Sequence, residues 1–216
     1  MTQYGFYFDS SRCTGCHTCE IACKDYHDLT QLETFRRVYD CEGGTTQGAS
    51  DDTVASTAFA YHVSAACNHC ANPGCIAATG NDGTIVKDDE TGLVLIVDAA
   101  GVADPQAVVE ACPYGVPVID SRTGLLEKCD GCHDRVRAGK RPICVEACPL
   151  RALEFGDLDE LTAAHPDAVD VIAPLADPSL THPSVRIDVC PAAANVKAED
   201  VRVTNAKTLT GVAAWA

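Results

Sequence analysis

Cysteine is most concentrated in residues 13–23, which read Cys-Thr-Gly-Cys-His-Thr-Cys-Glu-Ile-Ala-Cys and place thiols at positions 13, 16, 19 and 23. Three further cysteine groups follow along the sequence. Two of them repeat the C-x2-C spacing, and the third is a single Cys-Pro pair. In sequence order, these groups are Cys67, Cys70 and Cys75, then Cys112, then Cys129, Cys132, Cys144 and Cys148. The repeated spacing indicates that the thiols act together as metal ligands.

The first group has the ferredoxin spacing C-x2-C-x2-C-x3-C. A tight C-x2-C-x2-C loop can hold three iron corners of a cubane cluster, and a following helix then directs the next cysteine to a neighbouring cluster. Zinc is the competing metal, because Cys67 and Cys70 with Cys129 and Cys132 would make a four-thiolate site. The x3-C extension and the prolines after Cys112 and Cys148 favour iron–sulfur clusters.

Composition excludes several classes of protein. The 216 residues include 14 cysteines, and 31 acidic against 16 basic residues give a net charge of −15. Nucleic-acid-binding proteins need a basic surface, and an anionic membrane repels an acidic one. The hydrophobic fraction of 46% is that of a globular protein. A secreted disulfide scaffold fits poorly, because such proteins are short and seldom group cysteines as C-x2-C.

Targeting signals are missing from the sequence. The first nine residues have no basic region, no apolar run of signal-peptide length and no twin-arginine pair. The longest apolar stretch, near Leu93–Val97, is too short to cross a bilayer. We therefore expect no direct membrane insertion, and a location in the cytoplasm or co-export with a signal-bearing partner.

Local patterns predict a few secondary-structure elements. Alternation predicts strands over residues 4–9 and 185–189, and a hairpin that pairs 84–87 with 93–97. Asp104-Pro105 predicts a helix to Ala111, with Asp as N-cap and Pro in the first turn. Residues 41–57, rich in Gly, Thr, Ser and Asp, predict an exposed loop. Four prolines in residues 157–184 predict an extended surface segment.

Over residues 4–156, and most clearly at Cys112-Pro113-Tyr114-Gly115 and residues 128–153, the sequence resembles the electron-transfer (β) subunits of the molybdopterin oxidoreductase (dimethyl sulfoxide reductase) superfamily. The resemblance implies an α+β fold of tandem bacterial-ferredoxin-like 4Fe–4S modules with short strands, short helices and long loops. Residues 1–60 plus 125–156 would form a module with two clusters. Residues 61–124 would form an inserted module with one, and residues 157–216 an extended segment that wraps a partner.

The resemblance also implies the ligand sets. The family has four cysteine runs and four clusters; runs one and four share two clusters, and runs two and three share the other two. Carried over by residue, cluster 1 takes Cys13, Cys16, Cys19 and Cys148; cluster 2 takes Cys23, Cys129, Cys132 and Cys144; cluster 3 takes Cys67, Cys70, Cys75 and Cys112. Cys41 and Cys190 remain as free thiols.

The fourth ligand set of the family is missing. Its four cysteine positions hold Thr79, Val102, Pro105 and Val108, and Gly80 stands where the family has proline after the first of them. We expect the predicted helix to fill the vacated volume with Ala107, Val108 and Val109. In four-cluster relatives the missing cluster faces the membrane quinone subunit, so we expect no relay to a membrane anchor. With this set missing, the sequence resembles the β subunit of pyrogallol–phloroglucinol transhydroxylase and is similar to the small subunits of catechol dehydroxylases.

The resemblance implies an electron-transfer subunit that is not a catalyst by itself. It would connect a molybdenum or tungsten bis-pterin on a large catalytic partner to an external electron donor or acceptor. The partner would act on an aromatic polyol by dehydroxylation or hydroxyl transfer. The alternatives are a β subunit of a sulfoxide, polysulfide or nitrate reductase, clusters with a purely structural role, and a free polyferredoxin.

Several polar residues beside the cysteines have two interpretations. His17, His69 and His133 would donate hydrogen bonds to cluster sulfur, because the cysteine count is complete without them. Lys24 is predicted to be solvated, although its charge would raise a nearby potential. A group of four basic residues between Cys132 and Cys144 is expected to form either a solvated helix face or a contact with an acidic patch of a partner: Arg135, Arg137, Lys140 and Arg141.

Overall fold

Strand β1 (Tyr4–Asp9) is the centre of a three-stranded sheet in the computed structural model, which describes residues 2–48 and 54–206. It pairs antiparallel with residues 153–157 and parallel with residues 185–188. Phe6 and Phe8 are buried on one face of β1, and Tyr7 on the other face donates a 2.6 Å hydrogen bond to Asp188. The sheet therefore joins the N-terminus to the last third of the chain.

The remaining elements are short. The strands after β1 are β2 (Arg37–Gly43), β3 (Thr46–Gly48), β4 (Val54–Ser56), β5 (Phe59–Ala65), β6 (Ile85–Lys87), β7 (Val94–Ile96), β8 (Val118–Ile119), β9 (Leu126–Glu127), β10 (Leu153–Asp157), β11 (Val185–Asp188) and β12 (Arg202–Val203). The α-helices are α1 (Thr18–Tyr26), α2 (Gly74–Ala78), α3 (Pro105–Glu110), α4 (His133–Arg137), α5 (Ile143–Ala147) and α6 (Leu158–Ala164). Single 3-10 turns lie at Pro178–Leu180 and Ala198–Asp200.

A second sheet has the order β12-β2-β5, and all its pairs are antiparallel. Tyr39 lies opposite Val63, and Cys41 lies opposite Tyr61; all four are buried. Three hairpins, β3–β4, β6–β7 and β8–β9, complete the strands of the described residues. This mixture of short strands and helices agrees with the α+β fold expected from the resemblance.

The helices present the cysteines. Helix α1 contains both Cys19 and Cys23, which lie one turn apart on the same face. Helix α5 contains Cys144 and packs against α1, and the backbone leaves α5 in extended conformation at Cys148. The predicted helix after the first cysteines is confirmed, although it begins before Cys19.

Most of the local predictions are confirmed. Strand β1, the β6–β7 hairpin and strand β11 form where the alternation predicts them. The short strand β12, after β11, was not predicted. Helix α3 begins as expected, since the Asp104 side chain accepts a 3.0 Å hydrogen bond from the Ala107 amide.

Two loop predictions are wrong in part. Residues 41–43 belong to β2, and β3 pairs with β4 through exposed Thr and Ser side chains, with the Thr46 and Ser56 hydroxyls 2.9 Å apart. Residues 49–53 lie outside the described residues. Turn-forming residues dominated the composition here, but Thr and Val also favour strands. Residues 44–48 and 54–57 are nevertheless exposed, as predicted, whereas Cys41 is buried.

The segment after residue 157 is not wholly extended. Helix α6 begins at the side chain of Asp157, which accepts hydrogen bonds from the amides of Asp159 and Glu160. Farther along, Ile172 and Leu175 are buried in the main core. The N-cap allows the helix to begin, and the prolines do not interrupt it because they all lie after its last residue. This part of the chain therefore packs on the body of the protein itself.

The described residues form two apolar clusters. The larger surrounds the two sheets and contains most of the cysteines. The smaller one packs helix α3 against the β6–β7 hairpin: Cys75, Ile85, Val94, Val102, Val108 and Leu126. Val108 is fully buried, and Val109 packs at its edge, as expected for residues that fill this volume. Within residues 2–48 and 54–206, every helix is too short or too polar to span a membrane.

Candidate iron–sulfur centres

The first centre is a pocket whose lining includes Cys13, Cys16, Cys19 and Cys148. Helix α1 positions Cys19, whose sulfur lies 3.4 Å from the Ser64 hydroxyl. The amide of Ala152 donates a 3.3 Å hydrogen bond to the sulfur of Cys148. The four thiols thus meet from both of the predicted partner runs, although Cys148 lies far from the others in the sequence.

Two thiols of this centre, Cys13 and Cys16, have pKa values shifted in opposite directions. Burial raises the pKa of Cys13 to about 11, and the neighbouring thiols Cys19, Cys148 and Cys16 add to this rise. Cys16 is exposed, and a hydrogen bond with the Thr18 side chain, 3.4 Å away, lowers its pKa. Cys16 is therefore the thiol of this centre most ready to bind a metal from solvent.

In the second centre, Cys23 interacts electrostatically with each of the other three thiols, Cys129, Cys132 and Cys144. Burial raises the pKa of Cys23 and Cys129, and it raises the pKa of Cys132 to about 11. The Gly131 amide donates a 3.4 Å hydrogen bond to the Cys129 sulfur. Glycine is needed there, because φ is +73° and a Cβ would lie 3.0 Å from Leu93.

The third centre is a pocket whose lining includes Cys67, Cys70, Cys75 and Cys112. Helix α2 positions Cys75, and the turn after α3 positions Cys112. Burial raises the pKa of Cys70 to about 11 and that of Cys75 to about 12. The zinc alternative required Cys67 and Cys70 to combine with Cys129 and Cys132, but this pocket combines them with Cys75 and Cys112.

Two lysines, Lys128 buried and Lys87 half-buried, lie beside the ligand cysteines. The ammonium of Lys128 lies 3.9 Å from the Cys67 sulfur and donates a 2.8 Å hydrogen bond to the Cys129 carbonyl. Lys87 donates a 2.9 Å hydrogen bond to the Cys70 carbonyl. Lys128 is only 6% exposed, so its charge reaches the second and third centres with little screening by water.

These surroundings fit 4Fe–4S clusters. Each centre offers four soft thiolate donors, and all 14 cysteines, which lie in the described residues, are free of disulfides. Backbone amides and buried cations directed at sulfur match the negative charge of such a cluster. Because burial raises the pKa of these thiols, they must release protons when they bind iron.

The positions of the absent fourth set hold no thiols. Thr79 ends helix α2 and donates a 2.9 Å hydrogen bond to the Ile76 carbonyl. Val102 and Val108 are buried in the smaller apolar cluster, and Pro105 begins α3. Apolar packing therefore occupies the region in which the resemblance places the missing ligands.

No hydrogen bond joins the three histidines singled out in the sequence to a cysteine sulfur in the described residues, and the Nε2 atoms of His69 and His133 have no hydrogen-bond partner there, so their bonds to cluster sulfur stay a prediction. His17 pairs with Glu20 at 3.0 Å, and His133 lies 3.7 Å from Asp88. His69 is fully buried and accepts a 2.9 Å hydrogen bond from the Val94 amide. Burial, with smaller effects of nearby cations, holds the pKa of His69 well below its usual value.

Sequence reasoning missed the histidine that does approach a thiol. The Nε2 atom of His27 lies 3.6 Å from the Cys132 sulfur. Burial lowers the pKa of His27, which favours the neutral ring. The signal for it was available, because His27 follows Cys23 by four residues and so lies on the same face at the end of α1.

The other basic residues have mixed environments. Lys24 is half-buried and donates to the Glu33 carbonyl, so the prediction of a solvated lysine is wrong. Arg135 forms an ion pair with Glu146, whereas Arg137, Lys140 and Arg141 are exposed.

Cys41 and Cys190 lie apart from the three centres. Both are buried thiols without a disulfide. Burial, together with Asp40 and Cys190, raises the pKa of Cys41 to about 12. Cys41 therefore stays protonated and unreactive at neutral pH.

Twelve cysteines gathered into three four-thiol centres define a protein of the iron–sulfur class. Residues 58–158 match the family described as "4Fe-4S dicluster domain". The sequence is 48% identical over 187 residues to the B subunit of the anaerobic dimethyl sulfoxide reductase of Escherichia coli strain K12, and the match covers 86% of this protein and 88% of that one.

Two more distant relatives have related names. "Formate dehydrogenase 2 subunit beta (cytochrome c-553)" of Nitratidesulfovibrio vulgaris is 37% identical over 73% of this protein and 78% of its own length. The thiosulfate reductase electron transfer subunit of Salmonella typhi is 36% identical over the same shares. The chain thus belongs to the iron–sulfur electron-transfer subunits of the molybdopterin oxidoreductases, as the resemblance indicated.

Proposed function

We propose that this protein carries three 4Fe–4S clusters and relays electrons between a molybdopterin catalytic partner and an external donor or acceptor. The grouping of 12 cysteines into three sets of four carries the proposal. The ligands are Cys13, Cys16, Cys19 and Cys148 for cluster 1, Cys23, Cys129, Cys132 and Cys144 for cluster 2, and Cys67, Cys70, Cys75 and Cys112 for cluster 3.

The order of the relay follows from shared elements. Cys19 of the first centre and Cys23 of the second lie in one helix, about 6 Å apart along its axis. Cys129 of the second centre interacts electrostatically with Cys67 of the third. The Lys128 ammonium lies beside the Cys67 sulfur and donates a hydrogen bond to the Cys129 carbonyl. These contacts support the series 1, 2, 3, with the second centre in the middle. We also propose that residues 1–60 with 125–156 hold clusters 1 and 2, and that residues 61–124 hold cluster 3.

The partner would be a large subunit with a molybdenum or tungsten bis-pterin. The names of the relatives, which are subunits of dimethyl sulfoxide reductase, formate dehydrogenase and thiosulfate reductase, support such a partner. An aromatic polyol is the first substrate we propose, supported by the missing fourth set and its likeness to transhydroxylase and dehydroxylase subunits. A sulfoxide is the second candidate, supported by the 48% identity to a dimethyl sulfoxide reductase subunit.

Copurification of the native complex tests the partner and its substrate. Oxidation of a reduced viologen by a catechol, but not by dimethyl sulfoxide, would support the polyol; the reverse result would support the sulfoxide. A membrane quinone subunit in the same complex would contradict a relay without a membrane anchor. The fraction in which the complex is found would test the proposed location, the cytoplasm or the compartment to which the partner is exported.

Chemical analysis tests the cluster count. The purified protein is expected to contain about 12 iron and about 12 acid-labile sulfide atoms. Cys112→Ala should remove cluster 3 alone and leave about 8 of each. Cys41→Ala is the matched control, a buried thiol outside the centres, and should leave about 12. A wild-type value near 16, or loss of iron in the control, would contradict the assignment.

A further inference from the structure

Arg36 is a buried cation without a carboxylate partner among the described residues. It directly precedes β2 and is only 2% exposed. Its Nη1 atom donates to the hydroxyl of Ser64 at 3.1 Å and to the Ser64 carbonyl at 3.4 Å. Its Nε and Nη2 atoms have no hydrogen-bond partner in the described part of the protein. An isolated charge in this position is costly, so some buried negative charge is expected beside it.

The negative groups beside Arg36 are cysteines of two centres. The guanidinium interacts electrostatically with Cys19 of the first centre and with Cys23, Cys129 and Cys144 of the second. Burial by itself lowers the pKa of Arg36, but these four sulfurs outweigh it and raise the pKa above the usual value. The side chain therefore keeps its proton while electrons enter and leave the clusters.

Two neighbours fix the guanidinium in place. Its central carbon lies 4.6 Å from the centre of the Phe6 ring, a cation–π contact. The Ser64 hydroxyl, which accepts from Arg36, lies 3.4 Å from the Cys19 sulfur. Ser64 thus connects the cation to a ligand of the first centre, and the geometry places the charge at the junction of the two centres.

We propose that Arg36 is the shared counter-charge of clusters 1 and 2 and sets the reduction potentials of both; this inference rests on the proposed three-cluster function. One-electron reduction adds one negative charge to a cluster, and the proton of Arg36 does not move. A fixed cation close by stabilises the reduced form and raises the potential. The unpaired Nε and Nη2 atoms are the donors available to cluster sulfur.

Arg37 is a matched control within the same protein. It is also 2% exposed, and its Nε and Nη2 atoms also have no partner among the described residues. Its Nη1 atom, however, donates to the Gly115 carbonyl, beyond Cys112 of the third centre. Loss of Arg37 should therefore disturb packing as much as loss of Arg36, without acting on clusters 1 and 2.

The test is an EPR-monitored redox titration of the full-length protein with its clusters, for wild type, R36M, R36K, S64A and R37M. In R36M, the reduced-to-oxidised ratio of two of the three clusters is expected to fall about tenfold at a given potential, equal to about 59 mV for one electron. R36K should restore most of the ratio. S64A should lower the ratio of one cluster only, by a smaller factor, and R37M should leave clusters 1 and 2 unchanged.

Wild-type potentials in an R36M protein with all its clusters would overturn the inference, as would an equal shift of clusters 1 and 2 in R37M. If R36M does not retain its clusters, S64A decides, because unchanged potentials in S64A would also overturn it. Iron analysis of the wild type separates the two proposals: a count that differs from three clusters refutes the proposed function, whereas three clusters with insensitive potentials refute only the role of Arg36.

Discussion

The α1–α5 pair and the α2–α3 pair both position cysteine ligands, but the α2–α3 pair also packs against an apolar cluster of valines. Helix α1 has nine residues and holds both Cys19 and Cys23. Helix α2 has five residues and ends where the equivalent second position is Thr79. Beside α3, the valines at positions 102 and 108 form an apolar cluster. One region therefore needs metal to complete its interior, whereas the other is partly completed by ordinary hydrophobic burial.

Removal of iron is expected to have the largest effect and to separate the two regions. Without clusters, the α1–α5 region is left with buried thiols and the uncompensated charge of Arg36, because metal binding contributes directly to folding. Hydrogen exchange measured by mass spectrometry should show loss of protection in α1 and α5, while β6, β7 and α3 retain part of theirs.

The native protein, incubated without chelator, is the control for that measurement. Equal loss of protection in both regions, or earlier loss in α3, would show that the apolar cluster has no stability of its own. The contrast between the two regions would then be wrong.

Truncation of the apolar cluster is expected to have the next largest effect. Val108→Ala removes two methyl groups from a fully buried site and should lower the free energy of unfolding by about 2 kcal/mol. Denaturant titration of the protein with its clusters measures this. Val109→Ala, at the edge of the cluster, is the control and should cost less. Equal costs for the two variants would contradict the view that Val108 fills the interior.

Lys128 is expected to have the smallest of these effects, confined to the cluster potentials. Lys128→Met removes a buried charge 3.9 Å from the Cys67 sulfur, so the reduced-to-oxidised ratio of cluster 3 should fall about tenfold, or ~59 mV. Lys87→Met is the control, since Lys87 is only half-buried and contacts the Cys70 carbonyl. A redox titration in which Lys87→Met has the larger effect would reverse this ranking of the two cations.

Local patterns predicted much of the fold. The cap of Asp104, the β6–β7 hairpin and strand β1 depend on neighbouring residues and formed as expected. The errors at residues 41–57 and 157–184 arose where turn-forming residues or prolines outnumbered weaker strand and helix signals. There, pairing with a distant segment or a single N-cap decided the structure.

The sequence by itself determined the type of ligand, because cysteine spacing is a local property and the C-x2-C-x2-C-x3-C run is typical of iron–sulfur proteins. Set against the family pattern, it also lacks cysteines at the four positions of one further ligand set. Only the tertiary structure determined the surroundings of the centres. Side chains from distant segments lie beside the sulfurs: Ser64 beside Cys19, His27 beside Cys132 and Lys128 beside Cys67, with Arg36 hydrogen-bonded to Ser64. The effect of a charge on a cluster depends on its burial and distance, which sequence spacing does not specify.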